Sequence, residues 1–302
     1  MRYFERVATL GSIRAASRDL NVASSAVNRQ VLWLEETLGL SLFERVGRRL
    51  VLAPAGEILL AHVRRTYSDF DSTIGELDAL QGLRRGSVTI ATVESISEKL
   101  LPTLISRFRQ TYPGIHVSVV VSSSDEAAGL VERGEADVGF TFNPPERAAL
   151  TISYSVTLPI GALMVPDHGL NRPGPLKLVD CMRYPIVLPT KGMSLRSHLD
   201  AALAQVSTPL RTYVESNSLR FMRALVKGGN VISFQTKVGC EEEIESGELV
   251  FRPLSDRPLQ DDRLCVVTSA RRSLALSAGM FYDHSVSYFR AQLLADDANS
   301  AS

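Results

Sequence analysis

The chain has 302 residues, 45% of them apolar, and its 33 Lys and Arg are balanced by 33 Asp and Glu. That length suits two or three folded units rather than one core. No run is long and apolar enough for a transmembrane helix, and the start lacks the basic-then-apolar pattern of a signal peptide, so the cytoplasm is the default expectation.

The first 53 residues read as helices and a hairpin. Tyr3, Phe4, Val7 and Leu10 begin a helix that Gly11 ends. Ser12 is placed to cap a second helix, whose Ile13, Ala16 and Leu20 form one buried face until Asn21 interrupts it. In a third helix, stopped by Gly39, Val27, Val31, Leu34 and Leu38 make a single apolar stripe. The opposite face carries Ser25, Asn28, Arg29, Leu32 and Glu36, with Ser24 and Trp33 on its flanks. Two such helices cannot complete a core alone, so the third is pushed outward as a recognition helix is. Residues 41–46 and 50–52 then read as two short strands around Gly47-Arg48-Arg49, a basic wing.

Charge follows the same division. From residue 1 to 65 there are ten arginines, no lysine and six carboxylates, a net of +4, which leaves −4 on the remainder. Planar guanidinium groups suit bidentate contacts to phosphate and to guanine edges. The plainer reading of any one of these arginines is a solvated helical face, but the cluster together with the helix pattern points to duplex DNA, with Ser24, Ser25, Asn28, Arg29, Leu32, Trp33, Arg45, Arg48 and Arg49 as the contacting residues. Ser24 is also the residue available to cap the recognition helix.

Pro54 suits the first turn of a long helix over 54–81, broken only by Gly75. Val63, Tyr67, Phe70, Ile74 and Leu77 step along it by four, three, four and three, a heptad seam. Such a seam is buried most simply against its own copy; the alternative is packing on its own domain. Residues 82–86 read as a hinge.

Beyond it, strands and helices alternate. Strands are expected at 87–93, 117–121, 137–142, 160–165, 185–188, 212–215, 231–234, 249–253 and 264–268, and helices at 101–112, 127–133, 194–206, 218–227, 238–246 and 281–294. This alternation implies parallel sheets with right-handed crossovers. Two subdomains are expected within 87–294, the first over about 87–158 and 269–294 and the second over about 159–268, with strand 264–268 able to return to the first and 295–302 a disordered tail. A cleft between them would face the strand-to-helix turns at 93–97, 122–124, 190–194 and 216–218, which are rich in hydroxyls and amides. Helix N-termini there could hold a small carboxylate. The plainer reading of Ser95 with Glu98, and of Ser123 with Glu126, is the S-x-x-E capping box. Glu94 would repel an anion, meet a cationic group of a ligand, pair with Lys191 across the cleft or face solvent.

Cys181, Cys240 and Cys265 are far apart and lack metal-like spacing, so neither a disulfide framework nor a zinc site is expected, and the thiols read as structural rather than as a redox-sensing pair. The five histidines form no constellation. No cofactor or metal is called for. An enzyme on the α/β scaffold would want a Gly-rich phosphate loop, a G-x-S-x-G elbow or metal spacing, all missing from the sequence. A solute-binding protein would leave the basic helix-turn-helix without use.

Gly11-Ser12-Ile13-Arg14-Ala15-Ala16, Asn28-Arg29-Gln30-Val31, Leu34-Glu35, Leu38-Gly39, Leu42-Phe43-Glu44-Arg45 and Pro54-Ala55-Gly56 together resemble the N-terminal domain of LysR-type transcriptional regulators. Ala23 and Ser25 depart from the Ser and Pro usual there, and Leu32 and Trp33 replace polar residues. The resemblance implies a multi-domain chain: an all-α winged helix-turn-helix with a linker helix, then an α/β effector domain of two subdomains similar to periplasmic binding proteins. It implies binding to promoter DNA, contact with RNA polymerase and self-association as a dimer or tetramer. It also implies an effector in the cleft, a carboxylate or amino acid, lined by Glu94, Ser95, Ser97, Ser122, Thr190, Ser194, Asn217 and Gln235.

Overall fold

Two glycines and an asparagine in left-handed backbone set the ends of the first helices. In the computed structural model α1 (Arg2–Leu10) closes on Gly11 at φ 62°, and α3 (Ser24–Leu38) closes on Gly39 at φ 66°. Asn21 turns the chain at φ 53° after α2 (Ile13–Asp19), a conformation that asparagine tolerates better than most residues. The structure describes residues 1–47, 49–80, 86–206 and 211–300, with backbone alone at 68, 71, 72, 75, 76, 78–80 and 291–300. It divides into two units, Met1–Ile74 and Gly75–Ser302.

In the first unit Ser12 caps α2, its Oγ accepting from the Ala15 amide at 3.4 Å. Ser24 does not cap α3. Ala23 holds the cap position, and the Ser24 hydroxyl, already in the first turn, lies 2.8 Å from that of Ser17 on α2. Val27, Val31 and Leu34 are buried as the stripe predicts, but Leu38 is exposed. Gly39 diverts the chain, and Leu42 enters the core beside Leu34 in its place. The hairpin of β1 (Phe43–Val46) and β2 (Arg49–Leu52) pairs Val46 with Arg49, so Arg49 belongs to a strand rather than the turn. Glu35 holds the hairpin to α3, its Oε1 accepting from the amides of Leu42 at 2.7 Å and Phe43 at 3.2 Å. Then α4 (Pro54–Leu80) runs close beneath: a Cβ on Gly56 would stand 2.1 Å from the Leu42 carbonyl oxygen, so only glycine fits.

The second unit holds two five-stranded sheets. Its first half runs β3 (Gly86–Thr92), α5 (Glu94–Glu98), α6 (Leu100–Thr111), β4 (Ile115–Val121), α7 (Ser124–Glu132), β5 (Val138–Phe142) and β6 (Leu150–Leu158). The other sheet follows with β7 (Gly161–Met164), α8 (Leu178–Cys181), β8 (Ile186–Pro189), α9 (Ser194–Leu203), β9 (Thr212–Ser216), α10 (Leu219–Lys227), β10 (Ile232–Gln235), α11 (Glu241–Glu245) and β11 (Val250–Pro253). The chain then returns through β12 (Asp262–Ser269) to the first sheet and ends in α12 (Leu276–Ser300). Strand orders are β4-β3-β5-β12-β6 and β11-β7-β10-β8-β9.

Several expectations are corrected here. The sheets are mixed, not parallel, because β12 runs antiparallel to both β5 and β6, and β7 runs antiparallel to both β10 and β11. Residues 262–268 belong to the first subdomain, which takes β12 between β5 and β6, so the second subdomain stops short of 268. Strand β6 was not expected, although Leu150, Ile152, Tyr154, Val156 and Leu158 alternate along it. The helix at 238–246 shortens to α11, and α12 continues through Ser300 across most of the expected tail. Of the expected hinge only Gly86 is described; it opens β3, paired with Ile115. The parallel strands of both sheets point their carboxyl ends toward the junction of the subdomains, where ligands of open α/β sheets bind.

Candidate DNA-binding face and effector cleft

On α3, Ser24, Ser25, Asn28, Arg29, Leu32 and Trp33 are all exposed, as are Arg45 and Arg49 on the wing. Arg48 lies outside the described residues. None of Arg29, Arg45 and Arg49 makes an ion pair among the described residues, whereas Arg6 is tied to Asp19 by two hydrogen bonds of 2.6 and 2.7 Å that staple α1 to α2. The free arginines thus share one small unit with an exposed helix face, the requirement for entering a groove of duplex DNA.

The seam of α4 divides. Val63 is 1% exposed and packs with Phe4, Leu34, Leu42 and Leu60, so it serves its own core. Tyr67, Phe70, Ile74 and Leu77 are exposed, Phe70 by 62%.

Between the subdomains lies a cavity of about 400 Å³. Glu94, Ser95, Ser122, Ser123, Ser124, Phe142 and Asp262 line it from the first subdomain, and Met193, Ser194, Leu195, Asn217, Ser218, Gln235 and Thr236 from the second. Both carboxylates in this lining have defined partners. Glu94 Oε1 accepts from the Ser218 hydroxyl at 2.7 Å and Oε2 from the Leu219 amide at 2.6 Å, so it fills the N-terminus of α10 from across the cleft. Asp262 Oδ1 accepts from the Asn143 side-chain amide at 2.6 Å, and the His198 Nε2 stands 4.0 Å away. Burial pushes the Asp262 carboxyl up to about 6, against the pull of that amide and of His198. The Asn143 amide also donates to Ser194 on α9 at 2.9 Å, joining the subdomains a second time.

A third tie lies beside the cavity. Arg223 on α10 is buried between Glu243, which it reaches at 2.9 Å, and Glu98 of α5. Burial pushes the Glu98 carboxyl up, with Glu94 adding to it and Arg223 opposing. Burial also works against Glu243, but the hydrogen bond and charge of Arg223 hold its carboxyl below the ordinary range. At Gly239, φ 87°, a Cβ would come within 3 Å of the Ser95 backbone, so the two subdomains meet there with no room for a side chain.

Comparison with known proteins decides the kind of molecule. Residues 1–57 match the model of the bacterial regulatory helix-turn-helix protein, lysR family, and residues 81–290 match that of the LysR substrate binding domain. The chain belongs to the LysR family. It is 26% identical to the HTH-type transcriptional regulator CbbR of Rhodospirillum rubrum over 93% of each chain. Its fold is similar to a full-length OxyR from Pseudomonas aeruginosa, with a TM-score of 0.72 at 20% identity over 94% of this chain and 92% of the other. It is likewise similar to full-length CbnR complexed with its target DNA, with a TM-score of 0.64 at 20% identity over 94% and 96%. This LysR chain is a DNA-binding transcriptional regulator with an effector-binding domain, not an enzyme.

Of the effector residues read from sequence, Glu94, Ser95, Ser122, Ser194, Asn217 and Gln235 line the cavity of this LysR domain; Ser97 and Thr190 do not. Ser97 turns back to donate to the Glu94 carbonyl at 2.7 Å, and the Thr190 amide is occupied by the Ser216 carbonyl. Ser95 does not cap α5, whose cap position is Val93, and Glu98 goes to Arg223 instead; Ser123 does cap α7, accepting from the Glu126 amide at 3.3 Å. Glu94 pairs with the end of α10 rather than with Lys191. Ser123, Ser124, Ser218, Thr236 and Asp262 were missed. Three of them were legible, since Ser123, Ser124 and Ser218 lie in the hydroxyl-rich turns at 122–124 and 216–218; Asp262, in an Asp-Asp-Arg stretch at the start of β12, carries no local sign that it faces inward. The three cysteines are buried and free, and burial pushes Cys181 and Cys240 up to about 12, which leaves both thiols unreactive.

Proposed function

We propose that this regulator reads its operator through the exposed face of α3, with Asn28 and Arg29 on base edges, and that Arg45, Arg48 and Arg49 of the wing hold phosphate. Two copies associate along Tyr67, Phe70, Ile74 and Leu77, and a small effector in the cleft between the subdomains sets how the bound promoter is presented to RNA polymerase. The cytoplasm is the place for this work, and among the described residues no helix is long and apolar enough to cross a membrane.

The observation that carries the effector reading is the cavity itself. Its walls come from both subdomains, and the bonds of Glu94 and Asn143 cross it, so a ligand there changes contacts on both sides at once. A ligand that prefers one arrangement of the subdomains shifts the population toward it. The apolar seam supports the dimer: Asp at both Phe70 and Ile74 puts unpaired charge on it. Sedimentation of that double variant should give a smaller species that retains its fold and binds a full operator, recovered from genomic fragments, far more weakly. An unchanged assembly means that other surfaces hold the copies together.

A further inference from the structure

The charge of the cleft is one-sided. Among the described residues its lining contains the two carboxylates of Glu94 and Asp262 and no lysine or arginine. An anionic effector would find no lysine or arginine to meet it, and one of the helix N-termini in the lining, that of α10, is already taken by Glu94. Both Glu94 oxygens are used in this way, and the partial positive charge of the helix end offsets its charge.

Asp262 is different. It is 4% exposed, its Oδ1 accepts from Asn143, and its Oδ2 accepts no hydrogen bond among the described residues although the residue lines the cavity. A buried carboxylate on a cavity wall, with one oxygen that accepts no hydrogen bond among the described residues, asks for a donor, and an ionised donor satisfies it best. Around it the remaining polar lining is hydroxyl and amide, and Phe142, Met193 and Leu195 supply apolar wall. We infer that the cleft is built for a small amine, a primary or secondary ammonium on a partly apolar skeleton, and that Asp262 is its anchor.

This rests on the reading of the cleft as the effector site, and the test separates the two. Amines are offered to the full chain, each beside the alcohol and the carboxylate of the same skeleton: benzylamine, benzyl alcohol and benzoate, then putrescine, butanediol and succinate. Calorimetry and thermal shift should rank the amine first in at least one series. Asp262→Asn should weaken that amine by about tenfold or more while changing the alcohol little, because a buried charge pair loses most when one partner goes. Asn217→Trp, which fills the cavity from α10's side, should abolish binding of both. A carboxylate that outranks its amine and is blocked by Asn217→Trp overturns the amine inference and leaves the cleft reading standing. Amine binding that survives Asn217→Trp overturns both, and so does an Asp262→Asn variant that binds the amine as tightly as the parent while Asn217→Trp binds it too. Stabilisation by no amine at millimolar concentration overturns the inference.

Discussion

Charge is handled in opposite ways on the exposed face of the first unit and in the interior of the second. Arg29, Arg45 and Arg49 stand in solvent, paired with nothing among the described residues, whereas Arg223 is almost wholly buried and held between Glu98 and Glu243, and Arg196 is buried against Asp200, Glu215 and the Pro189 carbonyl. A charge left loose keeps its full attraction for an external polyanion and costs folding nothing. One that is walled in has spent that attraction internally and become part of the scaffold. Removing a loose arginine should therefore change binding alone, and removing a pinned one should change the fold.

The largest effect expected is at Arg223. Replacing it by Ala leaves the half-buried Glu98 without its cation and Glu243 with only Lys227, 3.8 Å away, a loss of about 3 to 5 kcal/mol in the stability of the second unit. Because Glu98 belongs to the first subdomain and Arg223 to the second, the variant should also open the cleft, visible as faster proteolysis between the subdomains. Urea unfolding that places the variant within about 0.5 kcal/mol of the parent would mean that the bridge is ornamental.

Asp262 comes next, with the opposite sign. Its carboxyl lies at about 6 in the folded chain against an ordinary 3.8, so the folded state binds more protons than the unfolded one between those values. Stability from this group is then greatest below about 3.8, falls as pH rises to about 6 and stays low beyond, by up to about 3 kcal/mol. Asp262→Asn should raise the unfolding midpoint of the ligand-free chain at neutral pH and lose most of that advantage in mild acid. His198 on α9 stands 4.0 Å from the carboxylate, and a variant there should shift the window without removing it. An advantage equal at both pH values would show that Asp262 does not titrate there.

How much of this was readable beforehand depends on how local each cause is. The helix-turn-helix was legible almost to the residue, since Gly11, Ser12, Asn21 and Gly39 act within a turn of themselves. Leu38 and Val63 were misassigned because periodicity gives a face and not the depth of what covers it; Leu42 and Leu60 decide that. Strand β6 was readable by its alternation, yet its pattern breaks at Ile152, where a bulge against β12 turns a residue outward. The cleft turns were found because strand ends and hydroxyls mark them. Glu94 was misread because its partners lie 124 and 125 positions away, and Asp262 was missed because only the return of β12 beside Asn143 brings it inward. No window of sequence contains either pairing.

The loose arginines give smaller effects, and they should differ in kind. Arg29 sits in the exposed middle of α3 between Asn28 and Leu32, where a side chain can reach base edges. Arg29→Ala should lose about 1 to 3 kcal/mol on the operator, relax preference at one position and leave the unfolding midpoint where it was. An equal loss on operator and random duplex would reject base reading.

Arg49 is the smallest and the sharpest test of looseness. It is exposed in β2 across from Val46, at the end of a hairpin that Glu35 fixes to α3, so its charge is carried to a set place and yet tied to nothing. A guanidinium in that position can gain from DNA only by displacing counterions at a phosphate, and this gain is the same on every sequence. Arg49→Ala should therefore weaken operator and random duplex alike, and the slope of log K against log salt should flatten by about one unit, the share of a single phosphate contact. The parent and the variant should converge as salt is raised. A variant that instead loses preference among sequences with its salt slope unchanged would move Arg49 from holding the backbone to reading the groove, and the wing would then share the work of α3.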